Sequence, residues 1–359
     1  MNAAIRRPAD SDLGYFNARV RAMRGSLFRK PDYEPLMRLP SADALMERLK
    51  TSRYCPHIEA ASSRHKAALD ALSTAFMTEL SSSLAMLWKS APDGARPLLK
   101  AMYSHWEVFD LKILLRGIAR EVRREEIKAS LIPAGEFNAA ASLDALLTSK
   151  DIPDLINFLQ TWGSPYAGVL KPGLAEYKRS GRIIEMELRA DIVTNSLQVE
   201  ALSSNCAGTR IMRGWLALKA DFQNALTLFK IFGEGYSPAA ANGFFMDGGV
   251  NLKRERFVRL AAMKEKEELL ASLASIGGAA VRKALDLSGT DPVLMEEAAE
   301  DAMKERLKTL SIVDPLSIAL AASFIYMKVR EIKNLRLISR GLSFGVPLDE
   351  LRLFIFYPV

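Results

Sequence analysis

The sequence is short of the residues that carry chemistry. Its 359 residues include two cysteines, Cys55 and Cys206, and three histidines, His57, His65 and His105. Two cysteines build no disulfide framework, which points to a reducing, cytoplasmic setting. No histidine has a partner four residues on or an HExxH setting, so no helical zinc site is expected. Cys55 and His57 could supply two ligands, but nothing nearby completes a tetrahedron. There is no GxxxxGK[ST] loop for nucleotide phosphates and no GxSxG elbow for a nucleophilic serine. Gly233, Glu234 and Gly235 open like a dinucleotide fingerprint. The third glycine is missing and the segment follows a helical pattern, so it reads as a helix exit. No catalytic, cofactor-binding or metal-ligating residues are therefore expected.

Long apolar runs are missing as well. The longest, residues 317–327, falls far short of the roughly 20 needed to span a bilayer. Residues 1–8 lack the apolar core of a secretory signal.

What is present is a globular composition, 49% hydrophobic and 25% charged, enough to bury a core in two or three domains. Net charge is 49 − 42 = +7. That suits an acidic partner, a membrane surface or nucleic acid without choosing among them. Basic residues gather at Arg19, Arg21, Arg24, Arg29 and Lys30, and again at Arg116, Arg120, Arg123, Arg124 and Lys128. No helix-turn-helix or aromatic platform accompanies them, so nucleic acid is not an expected partner. They read as solvated helix faces or helix C-terminal charge bias, with an acidic protein partner as the functional alternative. The acidic run Glu296, Glu297, Glu300 and Asp301 reads as a solvated helix face.

The strongest signal is triplication. A leucine-containing helix, a polar break and a second helix recur at residues 44–54, 155–166 and 268–278. Their anchors, Tyr54, Tyr166 and Gly278, are spaced 166 − 54 = 112 and 278 − 166 = 112. An acidic residue, then Asp or Asn three on, then a basic residue six further on also occurs three times. The copies are Glu107, Asp110, Arg116; Asp221, Asn224, Lys230; and Glu331, Asn334, Arg340. An echo links residues 132–135 with 246–249, again 114 apart. This period is too long for a solenoid unit and has the size of a small domain. Apolar residues follow helical spacing at Leu99, Met102, Trp106, Phe109 and Ile113, and at Leu218, Phe222, Leu226 and Phe229. The third copy has a less regular stripe through Phe324, Ile325, Ile332, Leu335 and Ile338, flanked by Glu331 and Lys333. Strict alternation is too short for strands. The sequence thus predicts an all-α protein of three tandem, related helical bundles over residues 1–131, 132–245 and 246–359.

Residues 314–347 are the most specific. Tyr326, Lys328, Glu331, Asn334, Leu335, Arg336, Gly341 and Gly345 resemble the C-terminal signature of the C-type subunits of V/A-type ATPases, known as d in vacuolar enzymes. Val329 and Arg330 depart from it where a first glutamate is expected. Tyr15, Asn17, Ala18, Arg19, Val20 and Arg21 are similar to that family's opening motif. Ser164, Pro165, Tyr166, Glu176, Tyr177, Ile184, Glu185 and Asp191 resemble its middle domain.

The resemblance implies three helical domains in a pseudo-threefold funnel on the cytoplasmic face of a membrane. Such a funnel is peripheral, sits on the proteolipid ring and holds the foot of the central stalk. It passes torque between ATP chemistry and proton or sodium flow and catalyses nothing itself. Arg19, Arg21, Arg116 and Arg340 are the candidates for a partner-facing rim or lining. A helical scaffold unrelated to ATPases would explain the helices, but not the C-terminal signature.

Overall fold

The computed structural model describes residues 13–134, 140–203, 207–276, 278–288 and 291–355. Cys206, Gly135 and Gly277 lie outside them. The described residues form helices and no strand. In chain order, α1 (Leu13–Gly25), α2 (Lys30–Met37), α3 (Ala42–Leu49) and α4 (Cys55–Ser62) lead into the long α5 (Ala68–Ser90) and α6 (Arg96–Ala119). The short α7 (Arg124–Lys128), α8 (Ala140–Leu147), α9 (Ile152–Thr161), α10 (Pro165–Leu170) and α11 (Gly173–Ser180) precede the long α12 (Ile184–Ala201) and α13 (Ala207–Ile231). The pattern then repeats with α14 (Pro238–Asn242), α15 (Arg254–Ala261), α16 (Lys266–Ile276) and α17 (Gly278–Ser288). These lead to α18 (Pro292–Val313), α19 (Ala319–Phe344) and the final α20 (Leu348–Phe354).

Local chemistry sets the boundaries. Asp151 caps α9 by accepting from the Asp154 amide at 2.8 Å, and Ser41 caps α3 through the Ala44 amide. Ser164 and Ser237 each cap a helix whose first residue is proline, where a missing amide costs nothing. Gly345 ends α19 at φ 67°, a conformation that side chains with a Cβ resist. The predicted helix–break–helix units are α3–α4, α9–α10 and α16–α17. Gly233 and Gly235 form the predicted exit from α13, both with positive φ.

The long helices pack in a cyclic order. α6 lies on α12, α13 on α18, and α19 on α5. One core joins α6 and residues 127–131 to α8–α12, and a second joins α13 to α15–α18. The third joins α19 and Leu351 of α20 to α1–α5, so the first and last helices share a core. Each core therefore draws residues from both sides of a predicted repeat boundary.

The acidic–amide–basic motif supplies matched ties. Asp110 Oδ1 accepts from the Ile132 amide at 2.8 Å. Asn224 accepts from the Met246 amide at 2.8 Å and donates to the Met246 carbonyl at 2.8 Å. Both ties reach 22 residues ahead and both side chains are buried. The corresponding position after Asn334 lies outside the described residues. The third apolar stripe is irregular because α19 is buried almost all round: 20 of its 26 residues are buried.

Burial pushes the Asp110 carboxyl well above the usual range, and Glu107 adds to this, against the Ile132 amide and Arg336. A raised folded-state pKa means that the stabilising form is the protonated one. Its contribution is complete below the ordinary aspartate range and is lost as pH rises through the folded value. Asp110→Asn, which installs the residue found in the other two repeats, should raise the melting temperature at neutral pH. That gain should shrink as pH is lowered toward about 4. Asn224→Ala should cost about 1–3 kcal/mol in urea denaturation, because two buried backbone groups lose their partner.

Candidate functional site

Three long helices, one from each predicted repeat, meet at their N-termini. A Cβ built on Gly208 of α13 would stand 2.9 Å from Leu98 Cδ1 of α6 and 3.8 Å from Ile318 Cγ2 just before α19. The helices are close enough there that a side chain at Gly208 would displace the tip of Leu98. About two turns on, an aromatic knot fixes the junction. Trp106 and Tyr326 have ring centroids 5.4 Å apart, and Trp215 lies 6.5 Å from Tyr326. His105 stands 4.6 Å from Trp106, and neither ring nitrogen has a hydrogen-bond partner among the described residues. Burial pushes its pKa well down, helped by Lys219, Lys112 and Lys333. It is a neutral packing ring.

Beyond the knot the helices carry charge. Lys112 donates to Asp191 at 2.9 Å, and Gln223 to the same carboxylate at 2.6 Å. Lys219 donates to Gln198 at 2.7 Å, and burial lowers its pKa to about 8. Arg116 grips Glu187 with two bonds, at 2.5 and 3.0 Å. Lys230 reaches Glu296 at 2.6 Å. Arg116 and Lys230 occupy the same motif position, and each reaches the long helix on which its own helix packs: α12 for Arg116 and α18 for Lys230.

The acidic run on α18 corrects the sequence reading. Glu300 and Glu297 keep only 13% and 26% of their side chains exposed. Lys333 bonds Glu300 at 2.7 Å, and Arg330 pairs with Glu297. Burial pushes the Glu296 carboxyl up, but Lys230 and Lys112 outweigh it and hold its pKa at about 2. Charge composition alone could not tell a solvated face from one paired across a helix interface. Glu331 is a second correction. It is fully buried rather than flanking the stripe. It accepts from Tyr54 Oη at 2.5 Å, Phe28 N at 2.6 Å and Lys328 at 3.2 Å, and pairs with Arg53. Lys328 also bonds Glu79 of α5 at 2.6 Å.

The four candidate arginines do not converge. Arg21 donates to the Pro315 carbonyl at 2.5 Å, and Arg19 stacks near Tyr15 of the same helix, both at the end where the long helices meet. Arg340 lies near the far end of α19, roughly 30 Å along its axis. Arg116 likewise sits near the C-terminus of α6. Arg340 has no ion pair among the described residues. A separate cavity of about 690 Å³, lined by Lys100, Glu107, Trp162, Tyr166 and Glu200, opens between α6, α10 and α12. No group of three or more potential metal ligands occurs among the described residues.

The model of the ATP synthase (C/AC39) subunit family matches residues 16–354. The chain belongs to that family. It is 28% identical to the C subunit of the A-type ATP synthase of Haloquadratum walsbyi, over 94% of this chain and 96% of that protein. It is 27% identical to the protein of that name from Halorubrum lacusprofundi, over 94% and 95%. It is 24% identical to the C subunit of the V-type ATP synthase of Deinococcus radiodurans, over 95% and 90%. The resemblance read from the chain's motifs holds at the level of the family. In this member the signature residues Lys328, Glu331 and Arg336 are buried packing groups. Arg336 donates to the Leu131 carbonyl at 2.9 Å. Arg330, standing where a glutamate was expected, answers the α18 carboxylates instead.

Glu331→Gln would remove one of the two carboxylates that Lys328 and Arg53 share, leaving Glu79 alone to balance two buried cations. It should cost about 3–5 kcal/mol in urea denaturation. Glu34→Gln, which loosens the solvent-facing pairs to Arg38 and Arg352, should leave the midpoint nearly unchanged.

Proposed function

We propose that this chain is the adaptor between the central stalk and the proteolipid ring of a rotary V/A-type ATPase. It works peripherally on the cytoplasmic face and performs no reaction of its own. The observation that carries this reading is the family match over nearly the whole chain, in a molecule whose interior charges tie helix to helix. The cyclic packing of α6 on α12, α13 on α18 and α19 on α5 supports a pseudo-threefold funnel. The sequence repeats 1–131, 132–245 and 246–359 would then interlock, each long C-terminal helix entering the core of its neighbour. A body closed in this way transmits torque without opening, and the ion that follows is a proton or sodium.

The two ends of the long helices suit two partners. Arg116 and Arg340 lie toward the C-terminal ends and are the proposed contacts for the stalk foot. Arg19 and Arg21 lie at the opposite end and are the proposed contacts on the ring side. Charge complementarity sets encounter rate and register more than raw affinity. Purified stalk subunits titrated against this chain by calorimetry should bind, and should bind more weakly as salt rises, since exposed charges are screened beyond about 8 Å at physiological ionic strength. Absence of binding at low and high salt would remove the adaptor reading in favour of an unrelated helical scaffold. Salt-independent binding would remove the electrostatic part alone.

A further inference from the structure

We propose that Glu121 is a partner-contact residue, held out on a strained backbone to pair with a basic side chain of a stalk subunit. The three helices that carry the acidic–amide–basic motif end at matched positions. Five residues after the basic position stand Glu121 (after Arg116), Gly235 (after Lys230) and Gly345 (after Arg340). Their φ angles are 53°, 78° and 67°, all left-handed. Glycine adopts that conformation freely, and a residue with a Cβ does so at a cost. Glu121 is the one non-glycine residue with a positive φ among the described residues.

The exits from α6 and α19 match in more than this turn. Val122 N donates to the Gly117 carbonyl at 2.9 Å, and Val346 N to the Gly341 carbonyl at 2.8 Å. α7 then folds back so that Ile127 lies against Gly117, and α20 so that Leu351 lies against Gly341. Glycine serves this geometry at residue 345, and nothing in the turn calls for a carboxylate at residue 121. A glutamate there also opposes the helix dipole, whose negative end is the C-terminus of α6. Two costs thus fall on one exposed residue, and the chain recovers neither. Arg120, Arg123 and Arg124 flank it, yet Arg123 turns to Glu126 at 2.7 Å and Arg124 to the Thr148 carbonyl at 3.3 Å. The Glu121 carboxylate has no ion pair or hydrogen bond among the described residues.

Strain of this kind marks a side chain with a role outside the packing. Its place says which role. Arg336 bonds the Leu131 carbonyl, which brings the C-terminal half of α19 beside the segment leaving α6. Glu121 therefore stands at the end of Arg116 and Arg340, the end proposed for the stalk foot. An acid among arginines gives that face charges of both signs, and complementary charge fixes the register of a partner.

The identity of the partner rests on the adaptor reading, and the role of Glu121 is added to it. Purified stalk subunits are titrated by calorimetry against the full chain and its variants, and the melting temperature of each variant is measured. Glu121→Gly should melt about 2 °C above the parent and bind the stalk subunits about fivefold more weakly. Glu121→Gln keeps the strained backbone without the charge. It should bind as weakly as Glu121→Gly, with less of the gain in melting temperature. Asp93→Asn removes the same charge at the other end of α6, roughly 36 Å away, and should bind as the parent does. Parent-like binding by Glu121→Gly and Glu121→Gln, or an equal loss in Asp93→Asn, would overturn the role of Glu121 and leave the adaptor reading standing. A melting temperature of Glu121→Gly at or below that of the parent would overturn it as well. No binding by the parent would remove both.

Discussion

Glu331 joins the last long helix to the first helices of the chain. Its partners are Phe28, Arg53 and Tyr54, all from the first sixty residues, with Lys328 beside it and Glu79 one step further. A carboxylate so deep is tolerable because two cations, a phenol and a backbone amide all face it. The consequence reaches well past the network. α19 and α5 can share a core only if the N-terminal helices are held there, and that core is what completes the cycle begun by α6 on α12 and α13 on α18.

The interior charges have a common logic. A motif that ends in Arg116 or Lys230 sends its cation across to the next predicted repeat, where Glu187 or Glu296 waits. These pairs add little net stability compared with apolar side chains of the same volume. They do fix register, since sliding one helix past the next by a turn would strand a charge. Under the proposed adaptor role, in which the body keeps its shape under torque, register is the useful property.

The amide position of the same motif works on the backbone. Asp110 and Asn224 both hold the loop that follows the long helix, at Ile132 and Met246, and so orient the short helices beyond. The aromatic knot of Trp106, Trp215 and Tyr326 then keeps the three inner helices together near their starts.

The sequence by itself determined the helical class and the family, and its repeated motifs are the ground on which three related units are proposed. Helix spacing and stop signals are local, and a 112-residue period with repeated Asp or Asn positions survives in the order of residues alone. Only the tertiary structure decided which helix belongs to which core. That depends on contacts such as Glu331 with Tyr54, 277 residues apart, which no local pattern encodes. For the same reason the acidic run on α18 read as a solvated face. A carboxylate looks the same in sequence whether water or a lysine of the next helix stands opposite. The four arginines likewise share a charge, and two of them a repeat position, in the sequence. The axis of α19 separates them into two ends, because a helix of 26 residues places its termini about 39 Å apart.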